Sequence, residues 1–241
     1  MKKNILIIGG KGYIGSKLSE VLSENHNVSI MDLCWFDNPD SSTIVEDFGK
    51  MDKLFYSQFE TIILLAGHSS VKMCEGNLDY SYNNNVRNFI NLLSNVLPTQ
   101  KVIYASSSSV YGNAGEKRVD ENYHDFVPHN HYDITKHVID LYAPKFDVQY
   151  YGLRFGTVNG YSPNMRKDVM INSMVYNAIT DGEIKLYIKD IMRPILGIND
   201  LCRAITAIVE SDEDNRGIYN LSSFNKTAEE IAKGVSSVVG I

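Results

Sequence analysis

The stretch Asn4 to Gly15, Asn-Ile-Leu-Ile-Ile-Gly-Gly-Lys-Gly-Tyr-Ile-Gly, limits this chain to few folds. Ile5 to Ile8 are four consecutive apolar residues, too few for a membrane span and suited to a strand buried on both faces of a parallel sheet. Gly9, Gly12 and Gly15 come next in the spacing G-x-x-G-x-x-G, and Leu18, Val21 and Leu22 recur at helical spacing over Ser16 to Glu24. A strand, a glycine turn and a helix bring backbone N–H groups to a helix N-terminus, where Tyr13, Ile14 and Gly15 can meet a pyrophosphate. The same glycine spacing also occurs in ordinary tight turns, so its meaning depends on the residues downstream of it.

With 241 residues, the chain has room for one large α/β domain and a small appendage. It is 44% hydrophobic and 22% charged, and it contains no apolar run of about 18 residues. The apolar run after Met1-Lys2-Lys3 is explained by the first strand rather than by a leader, so a cytoplasmic protein without membrane association is expected. Cys34, Cys74 and Cys202 are scattered and in no metal-ligand spacing, which predicts reduced thiols and no metal site. A net charge of −6 argues against nucleic-acid binding, which needs a basic surface to displace counterions. An anionic small molecule held by a few local arginines is compatible with it.

Further along, Val28 to Met31 is a short apolar run ending in Asp32, about 20 residues beyond the glycine turn, where a dinucleotide fold places the acid that accepts ribose hydroxyls. Such a carboxylate would repel a 2′-phosphate, so it favours NAD over NADP. Thr43 to Val45 reads as a third strand, followed by Asp47-Phe48, an acid and an apolar residue that could bracket an adenine. Thr61 to Leu65 is another strand, and it closes on Ala66-Gly67-His68, small residues that leave room for a cofactor. His68 reads as a loop residue or a substrate-side contact, with no neighbour in sequence to orient it.

Tyr82 to Leu97 reads as one amphipathic helix ended by Pro98, with Asn83, Asn84 and Asn85 as poor mid-helix residues that suggest a specific hydrogen bond. Lys101 to Ala105 is the next strand, and Ser106 to Ser109 carry hydroxyls from its carboxyl end into the same crevice. Residues 113–130 read as a long surface loop. His131 begins a helix to about Tyr142 that places Tyr132 and Lys136, four residues apart, on one face. An ammonium beside a phenol favours the phenolate, which predicts a Tyr132 pKa lowered from about 10 towards neutrality. A tyrosine tuned in this way could take a proton from a sugar hydroxyl.

Taken in order, these residues resemble the extended short-chain dehydrogenase/reductase (SDR) family in its branch of NAD-dependent nucleotide-sugar epimerases and dehydratases, over Asn4 to about Ser222. The resemblance implies a Rossmann-like, doubly wound parallel α/β sheet over 1–153. It also implies a small substrate-binding part over 154–241, with segments from about 193 packing back on the first. It implies a cofactor site of Gly9, Gly12, Tyr13, Ile14, Gly15, Asp32, Asp47, Phe48, Leu65, Ala66, Gly67, Asn85, Tyr132 and Lys136. Ser107, Tyr132 and Lys136 take the catalytic positions, and Ser107, Ser108, Thr157 and Arg193 the substrate positions. Arg193 would contact the diphosphate of a nucleotide sugar. A homodimer is implied through the helices Tyr82 to Leu97 and Tyr132 to Tyr142.

Some positions depart from the family pattern. Thr157 stands where an asparagine is common, Ile188-Lys189-Asp190 replaces a glycine-containing turn, and members commonly continue beyond the helix expected at Thr227 to Val239. A 4,6-dehydratase would carry an acid pair at the positions of Ser108 and Ser109, and serines cannot do that work. The resemblance therefore implies a 4-epimerase first. A nucleotide-sugar ketoreductase or dehydrogenase, a dehydratase and a non-catalytic NAD-binding homologue are the alternatives.

Overall fold

The computed structural model describes residues 1–112, 117–186 and 188–240, so 113–116 of the expected long loop lie outside the described residues. Strand β1 (Asn4–Ile8) contains the apolar run, and Ile5 to Ile8 are at most 1% exposed. Helix α1 (Tyr13–Ser23) starts directly after Gly12. β1 lies between β2 (Asn27–Met31) and β4 (Thr61–Leu64), parallel to both. Burial on two faces is what an unbroken apolar strand requires.

Those strands belong to a seven-stranded sheet with β3 (Thr43–Ile44), β5 (Lys101–Ser107), β6 (Gln149–Phe155) and β9 (Gly217–Leu221), in the order β3-β2-β1-β4-β5-β6-β9. Every neighbouring pair is parallel. This is a Rossmann-like doubly wound sheet, and its order reverses beside β1, where ligands bind at the carboxyl ends of the strands. The strand pleat sends alternate residues to opposite faces. Ile5 and Ile7 pack on one side with Leu18 and Leu22 of α1 and with Leu201 and Ile205 of α8 (Ile198–Glu210). Leu6 and Ile8 pack on the other with Phe89, Leu92 and Leu93 of α5 (Asn88–Asn95) and Ile139 of α6 (His131–Tyr142).

Short helices α2 (Lys53–Tyr56), α3 (Val71–Gly76) and α4 (Leu78–Tyr82) fill the connections before α5. The single helix expected over 82–97 is instead interrupted: residues Asn83–Arg87 form a π-turn between α4 and α5. The asparagines are the reason, since Asn85 spends its side chain on a long-range clasp around the loop after β4.

A smaller layer holds β7 (Thr157–Asn159), α7 (Met170–Asp181), β8 (Met192–Gly197), β10 (Phe224–Thr227) and α9 (Ala228–Val239). β8 pairs antiparallel with β10 and parallel with β7. Met174 and Ala178 of α7 meet Ile195 and, from α9, Ile231 and Val235 in a separate core. Thr227 and Glu230 close the start of α9 with a capping box. Among the described residues, no helix is long and apolar enough to cross a membrane.

Candidate active site

The glycine turn is tight enough to demand glycine twice. Gly9 has φ +89, and a Cβ there would stand 2.5 Å from the Ala66 nitrogen; a Cβ on Gly15 would stand 2.1 Å from the Gly9 oxygen. These contacts press β1 against the β4 loop and α1 against the turn. Gly12 differs, because a Cβ on it would meet only the Gly9 oxygen, at 3.3 Å. Gly12 is also the N-cap of α1, and no side chain caps that helix and no acid lies in its first turn. The backbone N–H groups of Tyr13, Ile14 and Gly15 are thus left to face a pyrophosphate, and the residues present fit a dinucleotide.

Asp32 leaves β2 at the same edge. Its Oδ2 accepts the Lys11 N–H at 2.9 Å and its Oδ1 accepts the Cys34 N–H at 2.7 Å. Each oxygen keeps a lone pair for a ribose hydroxyl. Asp47 accepts the Gly49 N–H at 2.9 Å and the Asn88 amide at 3.0 Å. The Phe48 ring is 4% exposed within the core, which leaves the backbone of Phe48 and the Asp47 carboxylate as the parts of that pair able to face an adenine.

Leu65 and Ala66 both donate N–H to the Ile8 carbonyl, at 2.8 and 2.9 Å, turning the chain at the end of β4. Asn85 then clasps this loop: its Oδ1 accepts the His68 N–H at 2.8 Å, and its Nδ2 donates to the His68 carbonyl at 3.1 Å and to Thr135 Oγ1 at 3.2 Å. A π-turn is a common way to re-aim one side chain out of a helix near a functional site. The sequence gives His68 no orienting neighbour, but the fold supplies one. Its Nδ1 is hydrogen-bonded to Ser81 Oγ, and the residue is buried. Desolvation lowers its pKa, which fits a positioning role better than that of a charged base.

Ser107 ends β5, and Tyr132 and Lys136 lie one turn apart on α6. The Ser107 hydroxyl stands close enough to the Tyr132 phenol to pull its pKa down. Ser107 Oγ also meets Ser109 Oγ at 2.7 Å and accepts the Ser109 N–H at 3.2 Å. Lys136 Nζ donates to the Ala105 carbonyl at 2.7 Å and stands 5.8 Å from the centre of the Tyr132 ring. The three side chains converge at the carboxyl end of the central sheet.

The Tyr132 pKa departs from the lowering that its lysine neighbour predicts. Desolvation raises it, and the opposing pull comes from the Ser107 hydroxyl and the Arg166 guanidinium. Lys136 supplies too little, because its ammonium is turned to a carbonyl and is itself desolvated, its pKa lowered to about 8. Without nucleotide, Lys136 should titrate near about 8 in an NMR titration of ¹³C-methylated lysines, and the signal should vanish in Lys136→Met. The unfolded chain holds that proton more tightly between about 8 and the ordinary 10.5, so this lysine's contribution to stability falls as pH drops through that window and is restored only above it. A midpoint above about 10, the ordinary lysine range, would refute the desolvated setting.

Arg166 is not legible as a site residue in the sequence, where its segment shows only as loop. It forms a two-pronged pair with Asp168, at 3.0 and 2.7 Å, and its Nη1 lies 3.3 Å from Ser69 Oγ. Its charge acts on both Tyr132 and Tyr13. The segment carrying it is fastened to the glycine turn: Ser162 Oγ donates to the Tyr13 carbonyl at 2.6 Å, and the Asn164 amide to the Lys11 carbonyl at 2.7 Å. Thr157 and Arg193 sit on the smaller sheet, Thr157 opposite Ile195 and the exposed Arg193 opposite Lys226. Ser108 opens a short 3₁₀ turn after β5. Among the described residues, no group of three or more His, Cys, Asp or Glu gathers to hold a metal ion.

A family model described as the NAD dependent epimerase/dehydratase family matches residues 5–222. A Methanocaldococcus jannaschii protein with a provisional UDP-glucose 4-epimerase name is 31% identical over 65% of this chain, and the chain spans 56% of its length. The ADP-L-glycero-D-manno-heptose-6-epimerase of Brachyspira hyodysenteriae is 26% identical over 97% of this chain and 80% of its own. Among solved structures, a UDP-N-acetylglucosamine 4-epimerase from Methanobrevibacter ruminantium superposes with a TM-score of 0.87 at 24% identity, covering 100% of this chain and 84% of that one. At that identity the likeness concerns the fold.

Proposed function

The chain belongs to the NAD dependent epimerase/dehydratase family, and from that premise we propose that it is a nucleotide-sugar 4-epimerase. The observation that carries this reading is the meeting of Ser107 and Tyr132 at the end of β5, with Lys136 one helical turn away. Tyr132 removes the proton from the C4 hydroxyl, and Ser107 hydrogen-bonds the same oxygen. NAD, held by the glycine turn, Asp32 and Lys136, would supply the hydride acceptor and donor at C4. Lys136 holds the ribose, its ammonium 5.8 Å from the centre of the phenol ring. Arg166 adds a second cation whose field favours the phenolate, offsetting part of the desolvation that opposes it. Thr157 and Arg193 contact the sugar nucleotide from the smaller layer.

Ser108 and Ser109 offer no carboxyl group for eliminating water, which favours epimerisation over dehydration. The reading is tested by incubating the protein and NAD with UDP-, dTDP-, GDP- and CDP-sugars and with ADP-heptose, and identifying products by NMR and mass spectrometry. A C4 epimer without net redox is expected. Loss of water, inversion at another carbon, or dependence on added reduced cofactor would replace the 4-epimerase reading.

A further inference from the structure

The glycine turn contributes a cation that the epimerase chemistry does not use. Lys11 precedes Gly12, and its backbone N–H is the group bonded to Asp32 Oδ2. Its side chain therefore starts beside the acid assigned to the adenosine ribose. A 2′-phosphate on that ribose would bring added negative charge against Asp32 and would need a nearby cation. Lys11 is the cationic side chain that the turn itself supplies, yet its Nζ lies 2.5 Å from Asp40 Oδ2.

Asp40 is fixed independently of the lysine. Its Oδ1 accepts from the Ser42 N–H at 3.0 Å, the Ser42 hydroxyl at 2.7 Å and the Thr43 hydroxyl at 3.0 Å. These partners stand at the entry to β3, which pairs with β2. The carboxylate is thus set at a defined distance from the β2 end before any ligand arrives. Asp37 adds to the negative field on Lys11. The backbone at Cys34 adopts φ +57, and the Asp32 carboxylate holds its N–H, which steers the Leu33 to Ser42 loop back towards the turn.

We propose that Asp40 is a cofactor-specificity residue: by holding the Lys11 ammonium, it withholds from a 2′-phosphate the cation that would otherwise receive it. Asp32 alone disfavours NADP by repulsion; Asp40 also removes the compensating charge. The inference rests on the NAD reading of the glycine turn and deepens it.

The test uses Asp40→Asn, which keeps an acceptor for Ser42 and Thr43 and removes the charge, together with Lys11→Met and the double variant. Dissociation constants for NADH and NADPH are measured by calorimetry and by quenching of Trp35, the single tryptophan of the chain. In Asp40→Asn the preference for NADH over NADPH should shrink roughly ten-fold, the low end of a charge-assisted hydrogen bond regained. Lys11→Met/Asp40→Asn should restore the original preference, because the effect passes through the lysine. An unchanged preference in Asp40→Asn, or a change that survives in the double variant, overturns the proposal while leaving the NAD reading intact. Failure of the unaltered protein to bind either nucleotide would remove that reading and the proposal with it.

Discussion

Tyr132→Phe is expected to lower turnover of an accepted nucleotide sugar by at least about 10³-fold, within the span that a positioned acid or base contributes. NAD affinity should stay close to that of the unaltered protein. The substitution removes one hydroxyl and leaves the ring that Lys136 approaches at 5.8 Å, so the Lys136 ammonium keeps its place against the Ala105 carbonyl. On the proposed reading the proton acceptor for the sugar hydroxyl is gone, while Ser107 keeps its contact with Ser109. Because desolvation holds the phenol above its ordinary range, the ionised base is a minor form in the empty site, and turnover should increase with pH on the limb that Tyr132 controls. Tyr132→Phe should abolish that limb as well as the rate. The check is single-turnover kinetics beside NAD titration. Retained turnover would reject Tyr132 as the base, and lost NAD binding would make the rate loss uninterpretable as chemistry.

How much of this site the sequence discloses depends on the range of the interaction. The apolar run Ile5 to Ile8, the three glycines and Asp32 are local signals, and the sheet order grows from them through parallel pairing on both sides of β1. The spacing of Tyr132 and Lys136 likewise survives folding, because a helix turn fixes it. What escapes is set by contacts between distant segments. His68 is oriented by Ser81 and Asn85, and the latter demands a π-turn where apolar periodicity predicts a plain helix. Arg166 reaches the crevice because Ser162 and Asn164 tie its segment to Tyr13 and Lys11. The Tyr132 pKa runs against the sequence expectation for the same reason: proximity of a lysine is legible in spacing, whereas desolvation belongs to the assembled fold.

Arg154→Met is expected to destabilise the protein by about 3–5 kcal/mol, the cost of leaving one member of a buried ion pair without its partner. Arg154 and Asp140 are 5% and 2% exposed by side chain, with Nε to Oδ2 at 2.8 Å. The guanidinium also donates to the Tyr111 hydroxyl at 2.8 Å and lies 5.0 Å from the Tyr111 ring and 5.2 Å from that of Phe126. Lysine could not reproduce this planar set of contacts. Methionine fills the volume and leaves Asp140 to the neutral Ser106 hydroxyl at 3.0 Å. Burial already pushes the Asp140 carboxyl up and Arg154 opposes it, so the variant raises it further. A carboxyl whose folded pKa is raised above its unfolded value favours folding at low pH and weakens it as pH climbs from the unfolded pKa to the folded one. The deficit should therefore be largest at neutral pH and shrink on acidification. Asp140 lies one turn beyond Lys136 and helps that lysine keep its proton, which links the pair to the site. Urea denaturation across pH measures the effect, and Arg154→Met/Asp140→Leu should regain most of the loss, since two apolar groups leave no charge unpaired. A loss below about 1 kcal/mol, typical of exposed pairs, would mean that water reaches Asp140 and that α6 is not anchored to β6 by this bridge.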